Sequence, residues 1–260
     1  MITKEFVMER TIESQDLKKL VFGDLTLFTN DECCTTYLYK EIFLGKEYPI
    51  ASTKSHPLIV DCGSNIGISV LFFKKKYPNA KIIAFEPDPM SYSILNKNVS
   101  INGLKNVQLY NLALSDKEGE CLLYGCSTNS IGQSLSSDWG LKGYYKDSFP
   151  TKVMRLSSFI DEEVDFLKLD IEGAEQAVLQ DLHKNNKLLL IKQFTIEVHE
   201  IDAIANENNM QGVVEILDQY PFQYSIFEHP ISELPMSHLQ EWAQLNNMKI
   251  SVIKGTREKT

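Results

Sequence analysis

From Pro57 onward, short apolar runs alternate with longer amphipathic stretches, and no other feature narrows the possible folds so much. LIVDCG reads as a short buried strand and IGISVLFFKKKY as a helix with a basic end. KIIAFEP is the next strand, DPMSYSILNKNVSIN the next helix and NVQLYNLAL a third strand. The rhythm resumes later with VDFLKLD (strand), EGAEQAVLQDLHK (helix) and a strand within LLLIKQFTIEVH. NENNMQGVVEILDQY is a last helix, and FQYSIFEH and MKISVIKG are two last strands. Strands separated by helix-length segments pair in parallel, because only a crossover of that length returns the chain to the same edge. The expectation is α/β: one doubly wound, seven-stranded, mainly parallel sheet with helices on both faces and an antiparallel last strand.

Residues 1–56 stand outside this rhythm as an N-terminal extension. VFGDLTLFT predicts a hairpin around Gly23-Asp24, and Asn30 or Asp31 is placed to cap a helix running to about Leu44, where Gly45 stops it. The main domain is then 57–260, with an insert at about 115–155. Within the insert, DKEGECLLYG reads as a hairpin around Glu118-Gly119, and a polar, Gly- and Ser-rich stretch follows at 126–150. So long an irregular segment is usually functional or disordered. As a substrate lid it would offer Trp139, Tyr144 and Tyr145 to the apolar face of a ring, and Asn129, Gln133 and Ser134 to its hydroxyls. The helix around Tyr37 and Glu41, with Tyr48 after it, would close the other side.

Charge and composition exclude several functions. A net charge of −9 disfavours a large phosphate-binding face, so nucleic acid is not the expected partner. No apolar run reaches the roughly 20 residues of a membrane helix, and MITKEFVMERT lacks the apolar centre of a signal peptide. Five scattered cysteines without a C-x-x-C pair suggest reduced thiols and a cytoplasmic location.

The chemistry lies at strand ends, where open parallel sheets bind ligands. DCGSNIG joins the first strand to the first helix, and its Asp61, Gly63, Asn65 and Gly67 form a tight turn that a ligand can approach. The dinucleotide spacing G-x-G-x-x-G is absent, and Asp61 would repel a pyrophosphate. Glu86 ends the second strand, where a carboxylate accepts hydrogen bonds from both hydroxyls of a ribose. A ribose joined to a cationic tail satisfies both positions, as in S-adenosylmethionine. Asp61, Gly63, Asn65 and Gly67 would hold its methionine end and Glu86 its ribose. Asn111, Ala113 and Leu114, at the end of the third strand, are candidates for its adenine.

FLKLDIEGAE collects Asp170, Glu172 and Glu175 where a strand gives way to a helix. Asp170 is expected at the strand tip with Lys168 as its ion-pair partner. Glu172 is expected at the helix start, favoured by the helix dipole, and Glu175 on the solvated surface. Carboxylates here would stabilise a sulfonium. In TIEVHE, Glu197 and His199 are two apart on a strand and so face one side. His199 or Asp170 would take the proton of an acceptor hydroxyl, with Glu172 beside them. A divalent metal on Asp170, Glu172 and Glu197 is a further option, since oxygen ligands suit magnesium or calcium. His56, His183, His229 and His238 have no comparable placing. Two other readings stay open: a nicotinamide-dependent oxidoreductase, whose glycine spacing is wrong here, and a protein that binds S-adenosylmethionine without turnover.

DCGSNIG, AFEPDP, NVSINGLKNVQLYNLALSDKEG, FLKLDIEGAE and TIEVH, in this order over about Leu58 to Glu200, resemble the FkbM-type family of S-adenosylmethionine-dependent methyltransferases. The resemblance implies a Rossmann-like class I methyltransferase fold. It also implies methylation, mostly on oxygen, of a small-molecule acceptor such as a sugar or secondary metabolite.

Overall fold

The computed structural model describes residues 17–45, 47–125, 133–137, 147–235 and 237–258. Seven of its strands form the central sheet: β3 (Leu58–Cys62), β4 (Lys81–Phe85), β5 (Val107–Tyr110), β9 (Phe166–Leu169), β10 (Gln193–Glu200), β11 (Phe222–His229) and β12 (Lys249–Arg257). Their spatial order is β11-β12-β10-β9-β3-β4-β5. All neighbours from β10 to β5 are parallel, while β12 runs antiparallel to both β10 and β11, as expected of the last strand. β3 is buried at every position, as a strand covered on both faces must be. From β3 the chain winds outward through β4 and β5, then returns to the other side of β3 as β9. The sheet's order therefore reverses between β3 and β9, which opens a crevice at their carboxyl ends.

Two apolar cores sandwich the sheet. On one face α2 (Ile68–Lys76) and α3 (Pro89–Ile101) bury Val70, Leu71, Phe73, Ile94 and Leu95 against Ile59, Ile82 and Ala84. On the other, α4 (Glu175–Lys184) and α5 (Met210–Leu217) bury Val178, Leu182, Val213 and Leu217 against Val60, Leu167 and Ile196. The alternation of inward residues along β3, Ile59 to one side and Val60 to the other, is the period-2 pattern of a strand expressed as two cores.

The N-terminal hairpin and helix form where the sequence places them. β1 (Lys18–Phe22) and β2 (Leu25–Thr29) pair antiparallel, and Asp31 caps α1 (Glu32–Leu44) by accepting the Cys34 amide at 3.0 Å. Their Leu25, Leu27, Ile42, Tyr48 and Ile50 share a core with α2 and α3. Stacked rings run from Phe22 through Tyr39 to Phe43, which meets Phe72 of α2 edge-on. Asn98 of α3 and Asn102, which caps its C-terminus, seal the free edge of β2. Asn102 accepts from the Thr26 amide (3.0 Å) and donates to its carbonyl (2.6 Å); Asn98 does the same for Phe28 (2.7 and 3.0 Å). Residues four apart on a helix are separated by about 6 Å along its axis, and residues two apart on a strand by nearly 7 Å. Two amide side chains can thus stand in for a neighbouring strand.

The structure corrects the sequence reading in the insert. NVQLYNLAL is not one strand: β5 ends at Tyr110, and Ala113–Ser115 is a separate β6. DKEGECLLYG is not a hairpin. β7 (Gly119–Gly125) and β6 both pair with β8 (Asp147–Arg155), in the order β6-β8-β7, with β6 parallel and β7 antiparallel to it. Pro150 hid β8 from sequence reasoning, since proline is excluded from central strands. It is tolerated here because, among the described residues, β6 pairs only with residues 153–155 and leaves that side of Pro150 without a strand. Asn129, Trp139, Tyr144 and Tyr145 lie outside the described residues. Among the described residues no helix is long and apolar enough to cross a membrane.

Candidate active site

A cavity opens over the crevice between β3 and β9. At one end the turn after β3 folds over β4, with the amides of Gly63 and Ser64 donating to the Phe85 carbonyl at 3.0 and 2.9 Å. The turn uses positive φ at Gly63 (81°), Asn65 (48°) and Gly67 (93°). Gly63 has a second reason to lack a side chain, since a Cβ there would lie 1.8 Å from the Asp170 carbonyl oxygen. Glu86 faces this turn from the tip of β4. Its carboxylate accepts from the amides of Asn65 (2.7 Å) and Asp88 (2.9 Å), and burial, with the Asp88 charge, pushes its pKa up to about 8. Each carboxylate oxygen accepts more than one bond, so both retain capacity for a ligand hydroxyl. Gly63, Asn65, Glu86, Ala113 and Leu114 all line the cavity.

Three residues expected to touch a cofactor lie off the cavity wall. Asp61 is fully buried, accepting from the Ser69 hydroxyl at 2.6 Å and paired with Lys168 at 3.6 Å. It is a β-strand residue, so it points into the layer behind the tip. Gly67 starts α2 behind the wall, and Asn111 is exposed, its amide donating to the carbonyls of Glu86 and Pro87 at 2.9 and 3.0 Å. These two support the wall and the strand-end loop, respectively.

At the middle of the cavity the acidic tip assembles. Lys168, 3% exposed, donates to the carbonyls of Cys62 (3.2 Å) and Gly63 (2.7 Å) and reaches Asp170 at 3.1 Å, which confirms the expected pairing. Burial works against its charge, but Asp170 and Asp61 outweigh that and raise its pKa. His199 Nε2 lies 3.4 Å from Glu197, 3.5 Å from Glu172 and 3.9 Å from Asp170, while Nδ1 lies 3.1 Å from Glu175. Burial opposes the imidazolium, yet the surrounding carboxylates, Glu172 foremost, hold the His199 pKa well above its usual value. Burial pushes Glu172 up to about 7, with His199 working the other way, and raises Glu197 as well. Asp170, Glu172 and His199 thus meet, as the sequence predicts. Their ligand atoms all lie within 4.8 Å of one another, close enough to hold a divalent ion, with His199 in the place expected of Glu197.

Two details differ from expectation. Glu172 does not start the helix. It takes φ 57° and Gly173 φ 98°, and these two left-handed residues delay α4 until Glu175. Glu175 is not on the surface but fully buried, accepting from the amides of Ile171 (3.2 Å) and Gly173 (3.1 Å) and from Asn208 Nδ2 (2.7 Å). The available signal was the Glu-Gly-Ala-Glu turn itself, whose loop amides need an acceptor before the helix can supply one.

The far end of the cavity is walled by Tyr37, Glu41 and Tyr48 from the N-terminal side and by Leu239, Trp242 and Ile250 from the C-terminal side. Glu41 accepts from Tyr37 (3.3 Å) and meets His229 Nε2 at 3.0 Å. His229, unremarkable in the sequence, ends β11 and lines this wall. From the insert, Gln133 and Leu135 reach the cavity, while Ser134 bridges to the Tyr124 backbone at 2.8 and 2.9 Å.

Residues 61–230 match the methyltransferase FkbM domain. The chain is 33% identical over 234 residues to methyltransferase sdnD of Sordaria araneosa, covering 73% of this chain and 87% of that protein. It is 26% identical to the 31-O-demethyl-FK506 methyltransferase FkbM of Streptomyces tacrolimicus, covering 75% and 84%. Among solved structures, a methyltransferase FkbM from Methylobacillus flagellatus KT aligns with a TM-score of 0.51 at 12% identity, over 83% of this chain and 47% of that one; the likeness is one of fold.

Proposed function

Because the chain belongs to the methyltransferase FkbM domain family, we propose that it transfers a methyl group from S-adenosylmethionine to a hydroxyl oxygen of a small molecule, a sugar or a natural product. The observation that carries this reading is the acidic tip: Asp170, Glu172 and Glu197 line the same cavity as Glu86. Bound there, the cofactor supplies an electrophilic methyl carbon and a fixed positive charge. Glu86 would accept from the ribose hydroxyls. Ala113 and Leu114 would hold the base, and the Gly63–Asn65 turn the methionine. The carboxylates of Asp170 and Glu172 would stabilise the cation electrostatically. The acceptor enters between Tyr37 and Trp242. His199 or Asp170 would take its proton, leaving the oxygen to accept the methyl group that the cofactor would supply. Such positioned proton transfer contributes about 10² to 10⁴ in rate, and alignment supplies much of the rest. Tyr37, Glu41, Leu239 and Trp242 line the cavity from outside residues 61–230, the span matched by the family domain, and are candidates for choosing the acceptor.

Calorimetric titration with S-adenosylmethionine, S-adenosylhomocysteine and NAD tests the reading. Heat with the first two and none with NAD is expected; the reverse overturns it. Both Asp170→Ala and His199→Ala should abolish turnover, the first with weakened cofactor binding and the second with cofactor binding spared, and unchanged turnover in both refutes the assigned roles. A divalent ion on Asp170, Glu172 and His199 is a second reading, favoured by their spacing. Turnover lost on exhaustive chelation and restored by magnesium would select it.

A further inference from the structure

The protonation pattern of His199 can be read from its neighbours, starting at backbone groups whose roles are fixed. The Gln176 amide can only donate, and it meets one terminal atom of Asn208 at 2.8 Å, so that atom is Oδ1. The other terminal atom lies 2.8 Å from the His199 carbonyl, which can only accept, so it is Nδ2. Two backbone groups therefore fix the Asn208 amide without appeal to convention. The same Nδ2 donates to Glu175 Oε2 at 2.7 Å. The amides of Ile171 and Gly173 also donate to Glu175, at 3.2 and 3.1 Å to Oε1, and Gly173 again at 3.2 Å to Oε2. Glu175 is thus met by donors on both oxygens and acts as an acceptor throughout. His199 Nδ1, 3.1 Å from Oε1, must then be a donor. Nε2 faces Glu172, Glu197 and Asp170 at the cavity; among these carboxylates it carries a proton in the imidazolium, and it is the nitrogen at which that proton can be given up to or taken from a ligand.

We propose that Glu175, locked by Asn208, is the positioning residue of this site: it keeps a proton on His199 Nδ1, fixes the ring and so presents Nε2 to the acceptor hydroxyl. This rests on the reading of His199 as a proton acceptor given above. Without Glu175 the bond that holds Nδ1 is lost, and the neutral form can place its proton on Nε2, where it has nothing left with which to accept. Three elements meet in this device: the start of α4, the end of β10 and the turn before α5. None of the three residues works from its own element alone.

Nitrogen-15 NMR of the full chain labelled at its five histidines, with S-adenosylhomocysteine added, tests the proposal. His199 is assigned by the signal lost in His199→Gln. At a pH where the ring is neutral, the remaining proton is expected on Nδ1, slow to exchange. Finding it on Nε2 overturns the proposal, and this arm needs no variant at position 175. In Glu175→Gln the amide can donate to Nδ1, so the neutral ring should move toward the Nε2–H form; an unchanged His199 pattern in a folded variant also overturns it. Once an acceptor is in hand, the same variant should lower kcat by 10²-fold or more while leaving cofactor affinity within about threefold. A protein that gives no heat with S-adenosylhomocysteine but shows the expected Nδ1 proton would sink the functional reading and leave the Glu175–His199 pairing standing.

Discussion

Gly63→Ala puts the switch point between β3 and β9 under direct test. Gly63 has φ 81°, and an alanine there carries the cost of a left-handed backbone, about 1–2 kcal/mol. That is the smaller part. Its Cβ would sit 1.8 Å from the Asp170 carbonyl oxygen, so the carbonyl must retreat by about 1 Å or more to reach the shortest contact a real Cβ makes. The retreat cannot be local. Lys168 ties the Gly63 carbonyl (2.7 Å) to the Asp170 carboxylate (3.1 Å), and the Asp170 amide donates to Cys62 at 3.2 Å. A displaced Asp170 carries the acidic tip with it, and misplacement of about 1 Å at a reacting centre can cost about 10²-fold in rate. Gly103→Ala is the matched control: its φ is 60°, with nothing within 4 Å of the added carbon. Both variants should lose the backbone term in chemical denaturation. Only Gly63→Ala should lose several kcal/mol more and weaken S-adenosylhomocysteine binding by tenfold or beyond. Equal stability and equal binding in the two variants would refute the argument that close strand approach dictates glycine at this turn.

Three more outcomes follow from the same geometry. Glu86 ionises at about 8 in the fold against an ordinary 4.5, so between those values the native state holds a proton that the unfolded chain has lost. Stability of the unliganded protein should therefore fall as pH rises through that window, by at most ~1.4 kcal/mol per unit from this group, and Glu86→Gln should flatten the slope in urea titrations; an unaltered slope counts against the burial of the charge. Lys168→Met leaves Asp61 buried without its cation and should cost about 3–5 kcal/mol, with part recovered in the Asp61→Asn double variant; full stability of the single variant would contradict the pairing. Asn98→Ala removes the bonds to both Phe28 backbone groups and to the Ile66 carbonyl (2.8 Å). It should cost about 1–3 kcal/mol and speed hydrogen exchange at the Thr26 and Phe28 amides, whereas unchanged exchange would mean the hairpin docks by its apolar face alone.

What was legible in the sequence follows a physical division. The strands and helices of the main sheet announce themselves because each buries its residues at its own period, and that period is local. The strand-end residues Gly63, Glu86, Asp170 and His199 were legible for a related reason: the carboxyl tips of the central strands open on the crevice, although Asp61 and Asn111 show that not every residue there faces it. Contacts decided by a distant segment were not. β8 is a strand because β6 and β7 flank it, which no pattern within SFPTKVMR, with its proline, could reveal. Asn98 and Asn102 were visible as part of a family-like block, but their work, bonding the edge of β2, depends on a hairpin some 70 residues earlier. Glu175 was misread for the same cause. Read by itself it is a charge in a helix's first turn and belongs in water; it is buried because His199 and Asn208, 24 and 33 residues on, bring donors to it. The chemistry of such a site therefore divides in two. The groups that face the substrate are set by topology, and topology is written in short-range pattern. The groups that set their proton positions come from whichever element packs behind them, and only the assembled fold shows which that is.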